Sequence, residues 1–231
     1  MDIEKMMKFL SDLEKNNSFE WMAQNKKEYQ ISRDIFIQLV QELILCVAEV
    51  DHSIAYLEAR DLIFKLNRDT RFGKDKSPYN PAFRAHISSA GRVPIPVGYF
   101  VFLRPDNRSF LGCGLFAPMF KTATTMIRDH ISRNGGEFEE IITAPEFTKH
   151  FTVMGEALKN VPSGYDANHV QAEYLKNKSW YLEYPIPDCV VLDADKFICE
   201  AVKIFTLMEP FNNFLNRGLK GFQMPERKGP A

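Results

Sequence analysis

The chain has 231 residues, 45% of them apolar and 26% charged, a composition that fits a soluble globular protein with a substantial core. Its 29 basic and 30 acidic side chains nearly cancel, so any case for nucleic acid or a membrane surface must rest on a local patch. The opening MDIEKMMKFL lacks the apolar run of a signal peptide, and no window approaches the ~18 consecutive apolar residues of a bilayer span; a cytoplasmic protein without a membrane partner is expected.

Ile3, Met6, Met7, Leu10 and Leu13 recur at helical spacing, with Asp2 placed to cap the helix and Asn16-Asn17 to break it. Ser18 opens a second helical region that runs through Trp21 and Tyr29. It continues into the stripe Ile35/Phe36, Leu39/Val40, Leu43/Ile44 and Val47/Ala48, one face of a long helix on the core. From Leu62 the period changes: Leu62, Phe64 and Leu66 alternate with Ile63, Lys65 and Asn67, which reads as a strand. GYFVFLRPDNRSFLGCGLF is two apolar segments joined by a turn at Pro105-Asp-Asn-Arg, a hairpin. Pro118 stands where a first helical residue would, and Met119, Ala123, Met126, Ile127, His130 and Ile131 give a helical stripe that ends at Gly135-Gly136. Shorter helices are expected over 137–143 and 145–151, then a turn-rich loop and a short helix to Lys176. SWYLEYPIPDCVV reads as a strand broken or placed at an edge by its prolines. Asp193 caps a last long helix, and Pro210 is positioned to start another that reaches Gly218. Helices, then meandering strands, then helices predict a single α+β domain over 1–223, its sheet mainly antiparallel with the N- and C-terminal helices packed on it, and a flexible tail over 224–231. Cys46, Cys113, Cys189 and Cys199 lie far apart, mostly among apolar neighbours, and are expected to be buried free thiols.

The segment FKLNRDTRFGKDKSPYNPAFRAHIS stands apart. Five basic residues and two aspartates lie between Lys65 and Lys76, threaded with Phe64, Leu66 and Phe72 and closed by Ser-Pro-Tyr. On an extended path Arg68 and Thr70 share one face while Asp69 and Arg71 share the other. An arginine fork binds carboxylate or phosphate oxygens through two parallel hydrogen bonds. Arg68 and Arg71 are the candidate donors, Asp69 and Asp75 their orienters, and Lys74, Lys76 and Tyr79 accessory groups. Two readings stay open: a pocket for a small phosphorylated or carboxylated ligand, or an Arg–Asp network that only pins the loop. A third assigns the basic loop over 65–84, with Arg84 and Arg92, to contact with a nucleic acid or a protein. Gly73-Lys74 is followed by Asp75 and has no upstream glycine at the required spacing, which excludes a P-loop.

Arg68-Asp69-x-Arg71-Phe72-x-x-Asp75-Lys76-x-Pro78-Tyr79 resembles the signature of an uncharacterised family, domain of unknown function 2461. Asn17 with Trp21 and Tyr29, Gly98-Tyr99 with FLGCGLF, and Pro162-x-Gly164-Tyr165 followed by His169 extend the resemblance over most of the chain. Asn25 stands where the family often has His, and Cys113 where it has the middle of a glycine triplet, so no histidine can act at position 25. The resemblance marks the location of a site and implies no chemistry, catalytic role or cofactor.

Gly112-Cys-Gly114-Leu-Phe-Ala117 matches the dinucleotide-binding fingerprint in letters, but it follows a hairpin strand and not a βαβ unit. The glycines are better read as points of close backbone approach. The five histidines form no metal-binding pattern, and Asp166 with His169 is read as a turn-stabilising pair, so no metal is expected. His86, just behind the charged run, is the histidine to test as a general acid or base.

Overall fold

Asp2 accepts a hydrogen bond from Lys5 N at 3.0 Å and opens α1, Ile3–Lys15, in a computed structural model that describes residues 1–71 and 75–225. Ser18 Oγ caps α2, Phe19–Gln24, by accepting from Trp21 N at 3.1 Å. The single helix expected from Ser18 onward is instead two, because Asn25 leaves helical geometry (φ −105°, ψ 18°) and its side-chain amide donates to Trp21 O at 2.9 Å. The Asn25 N–H also donates to Trp21 O, at 3.0 Å, so the side chain adds a second donor to that carbonyl where the backbone leaves the helix. α3, Lys26–Val47, then buries Ile35, Phe36, Leu39, Val40, Leu43, Ile44 and Val47, the stripe read from sequence.

A 3₁₀ turn at His52–Ile54 leads to α4, Ala59–Leu62. Leu62 therefore ends a helix and does not begin a strand; the extended path starts at Ile63, where ψ reaches 145°. The sheet is formed by β1 (Phe83–Ile87), β2 (Tyr99–Leu103), β3 (Ser109–Leu115) and β4 (Trp180–Ile186), in that order and antiparallel throughout. The β2–β3 turn places Asp106 (φ 66°) and Asn107 (φ 56°) in the left-handed region, which these residues tolerate best after glycine.

α5 spans Lys121–Arg133 and begins three residues after Pro118, with Phe120 at its cap. α6, Gly135–Thr143, and α7, Pro145–His150, follow, then α8, Ala172–Leu175. The end of the expected proline-rich strand is a short helix, α9, Asp188–Val191. Asp193 accepts from Lys196 N at 3.2 Å and caps α10, Ala194–Gly218, which passes through Pro210 without a new start. Phe205, Met208, Phe211, Phe214 and Leu215 are all buried on either side of that proline, and this continuous packed face outweighs the one lost donor. Helices at both ends and a four-strand antiparallel sheet make the fold α+β.

α3 and α10 cover one face of the sheet. Phe36 stacks on Phe83 at 5.2 Å between ring centroids, and Tyr99 meets Phe205 at 4.8 Å. Both outer strands have neighbours. Ile63 bridges Ala85 and Phe64 N donates to Arg84 O at 2.9 Å beside β1; Met154 and Tyr181 exchange backbone bonds of 2.9 and 3.1 Å beside β4. Of the four free cysteines only Cys113 is buried. Cys46 is half-buried, while Cys189 and Cys199 are exposed on short or amphipathic helices, which corrects the expectation of buried thiols. Among the described residues no helix is long and apolar enough to cross a membrane.

Candidate functional site

Residues 63–68 run antiparallel to β1 and then fold back on themselves. Asn80 N donates to Leu66 O at 2.7 Å and Arg68 N to Pro78 O at 2.9 Å, so the loop between them is closed at its neck. Tyr79, bridged to Asn67, is buried, and its ring meets Phe19 edge-on at 5.8 Å. Asn17 grips both backbone polar groups of Tyr79: its amide donates to Tyr79 O at 2.9 Å, and its carbonyl accepts from Tyr79 N at 3.0 Å.

Above this neck the charged side chains engage one another. Arg68 pairs with Asp75 and donates to Ser77 Oγ at 3.0 Å. Asp75 also accepts from Ser77 N at 2.9 Å and Ser77 Oγ at 2.6 Å; these bonds, with Arg68, hold its carboxyl at about 2. Asp69 receives the fork of Arg71, Nε at 2.9 Å and Nη2 at 2.7 Å, which lowers its carboxyl to about 2 as well. Lys76 Nζ donates to Thr70 O at 2.8 Å. Asp69 Oδ1 also accepts from Arg71 N at 3.1 Å, a local turn that brings the two side chains together. Asp69, Arg71 and Asp75 are solvent-exposed and Arg68 is about one-third exposed, so these pairs lie at the surface. Lys74 lies outside the described residues.

A second group gathers on the sheet face away from α3 and α10. Arg84 on β1 lies 5.4 Å from the centre of the Phe64 ring and Arg92 lies 5.5 Å from it, both within cation–π range. Each is steered by a backbone carbonyl: Arg84 Nη2 donates to Lys65 O at 3.0 Å, and Arg92 Nη1 to Ile63 O at 2.6 Å. Neither has a carboxylate partner among the described residues. Burial, with the positive charge of Arg68 adding to it, lowers the pKa of Arg84, and its buried Nε has no hydrogen-bond partner among the described residues. Beyond Phe64 the half-buried rings of Phe100, Phe110 and Phe102 continue the ridge, with centroid spacings of 6.2, 6.0 and 4.7 Å.

His86 is two residues along β1 from Arg84, on the same face, and only 8% exposed. Burial pulls its pKa down to about 4, against the weaker opposing pull of the Val93 and Arg92 backbone, so the ring is neutral near pH 7. Its Nδ1 has no partner among the described residues.

The remaining motifs serve the fold. Gly114 has φ +98°, and a Cβ there would lie 2.4 Å from Trp180 O, so the second glycine of Gly-x-Gly permits close strand approach. His169 Nδ1 accepts from Gln171 N at 3.0 Å and Nε2 lies 3.0 Å from Ser132 O, so both ring nitrogens are engaged in the loop. No group of three or more metal-binding side chains gathers among the described residues.

Sequence reasoning missed Ser77 as the second partner of both Arg68 and Asp75, although its place two residues after an aspartate is an Asx-turn signal. The bracketing of Phe64 by Arg84 and Arg92 had no local signal, because it depends on which strands are neighbours.

No curated protein and no solved structure matches the chain. The family model described as conserved hypothetical protein (DUF2461) matches residues 5–214, which takes in both terminal helical regions, the sheet and the closed charged loop. The chain belongs to that family.

Proposed function

We infer that this protein binds a small anionic molecule, phosphorylated or carboxylated, where Arg84 and Arg92 flank the Phe64 ring, with the charge of Arg68 felt at Arg84. The observation that carries this reading is an imbalance of charge. Arg84 and Arg92 are held in place by backbone carbonyls and an aromatic ring, yet no carboxylate of the described residues neutralises either. A half-buried guanidinium with a spare donor favours an anion that supplies the missing acceptor. Asp75 and Ser77 hold Arg68, and the neck below keeps the loop in register with β1. Lys76 Nζ reaches across the loop to Thr70 O.

The test is a calorimetric titration with inorganic pyrophosphate and with citrate, on the parent and on Arg84→Met and Arg92→Met. Methionine keeps apolar contact with Phe64 while it removes the charge. Saturable binding that weakens by about tenfold or more in each variant is expected, the scale of one charged hydrogen bond. Equal affinity in all three proteins sinks the reading. Binding of single-stranded nucleic acid that falls steeply with salt, with no affinity for either small anion, would instead favour the Phe100–Phe110 ridge as an extended contact surface.

A further inference from the structure

The last two turns of α10 turn a polar stripe towards a cleft. Asn213, Asn216 and Arg217 are spaced i, i+3 and i+4 there, and with Lys220, just past the helix end at Gly218, and with Pro96 and Phe222 they line a cleft of about 530 Å³. A niche of about 30 Å³ shares Asn213 and Asn216 with it and is bounded by Asp51, Ser88 and Asn212. Asn216 is committed to the wall: Val97 N donates to its Oδ1 at 2.8 Å, and its Nδ2 donates to Val97 O at 3.0 Å. Asn213 donates to Glu209. Asn212 differs. It is only 4% exposed, and neither its Oδ1 nor its Nδ2 has a partner among the described residues. A buried amide with neither half satisfied is costly, and it marks a place where another molecule completes the bonding.

We propose that this cleft binds a small anionic sugar, a monosaccharide that carries a phosphate or a carboxylate. The group that enters the niche must both donate to Asn212 Oδ1 and accept from its Nδ2, which a hydroxyl can do. Asp51 accepts from Tyr99 Oη at 3.2 Å and from Ser53 N at 3.0 Å, and its remaining lone pairs can accept from a second, vicinal hydroxyl. The same carboxylate repels an anion, so the charged end of the ligand stays at the mouth. There Lys220 has no carboxylate partner among the described residues, and Arg217, paired with Glu137, lies one turn before it. These two cations offset the partial negative charge at the C-terminal end of α10. Phe222 and Pro96 supply an apolar wall for the C–H face of a sugar ring, and the volume is within the range of about 300–1,000 Å³ usual for small-molecule sites. This cleft shares no lining residue with the arginine cluster, so the two sites stand or fall separately.

The experiment is isothermal titration of the full chain with glucose 6-phosphate, glucuronate, glucose and inorganic phosphate. One of the two anionic sugars is expected to bind at least about tenfold more tightly than glucose or phosphate alone. Asn212→Leu keeps the volume and removes both orphan atoms; it should abolish that binding and raise the melting temperature of the unliganded protein. Lys220→Ala, at an exposed position, should weaken the anionic sugar about tenfold and leave glucose unchanged. In Arg84→Met the arginine cluster is disabled, and the sugar binding that depends on Asn212 and Lys220 should persist. The proposal is overturned if neither anionic sugar binds saturably up to about 10 mM, a concentration beyond ordinary metabolite affinity. Unchanged affinity in both Asn212→Leu and Lys220→Ala would also overturn it, as would loss of sugar binding in Arg84→Met.

Discussion

Asn17 and Tyr79 are 62 residues apart in sequence, yet one carboxamide satisfies both the N–H and the C=O of the other's backbone, at 3.0 and 2.9 Å. The link between α1 and α2 is thereby fastened to the neck of the charged loop. Asn17→Ala strands two part-buried backbone groups and should destabilise the protein by about 2–6 kcal/mol, at about 1–3 kcal/mol for each group. Asn17→Asp keeps the acceptor for Tyr79 N and loses only the donor, so it should cost about half as much. Chemical denaturation of the parent and both variants measures this, and equal losses would show that the clamp works through packing alone.

The buried His86 makes stability depend on pH in a defined window. Its folded pKa is about 4, below the ordinary 6.5, so the unfolded chain binds more protons between those values. The neutral buried ring therefore contributes fully above about pH 6.5. Stability should fall as pH drops from there to about 4, by up to about 3 kcal/mol, and His86 should add no further slope below that. His86→Gln should flatten this part of the profile. A profile that the substitution leaves unchanged would mean that the ring reaches water in solution.

Gly114→Ala should be among the most damaging single methyl additions in the chain. The new Cβ would meet Trp180 O at 2.4 Å and Tyr181 Cα at 2.8 Å, both backbone atoms of β4, at a residue with φ +98°. Steric and conformational strain together should cost about 3 kcal/mol or more. Thermal unfolding measures it, and a loss below about 1 kcal/mol would show that β4 yields easily.

What the sequence made legible follows from period and punctuation. The stripes of α1 and α3, the caps Asp2, Ser18 and Asp193, and the β2–β3 turn are local signals, and the structure carries each of them. The breaks depend on which side-chain bonds and packed faces form, and the apolar period does not carry these. Asn25 interrupts where the pattern is smooth, while Pro210 fails to interrupt because Phe211, Phe214 and Leu215 stay packed on the far side of it. At the charged loop, Asp69 also accepts from Arg71 N at 3.1 Å, a local turn that brings that pair together, while Arg68 reaches across the loop to Asp75, a partner the alternation does not indicate. The niche at Asn212 has no signature, since residues near 51, 88 and 212 form it only when α10 lies on the sheet.

The neighbours of the two outer strands carry a consequence for assembly. A sheet with bare margins is a template on which another chain can add a strand. Here the segment at Ile63–Phe64 occupies the rim of β1, Met154 occupies that of β4, and Pro185 removes one donor from the same strand. Growth of the sheet by strand addition is blunted at both rims. Substitutions that loosen the 63–64 segment, including those that weaken the arginine cluster anchored to it, would expose the β1 rim and favour aggregation before the core itself unfolds.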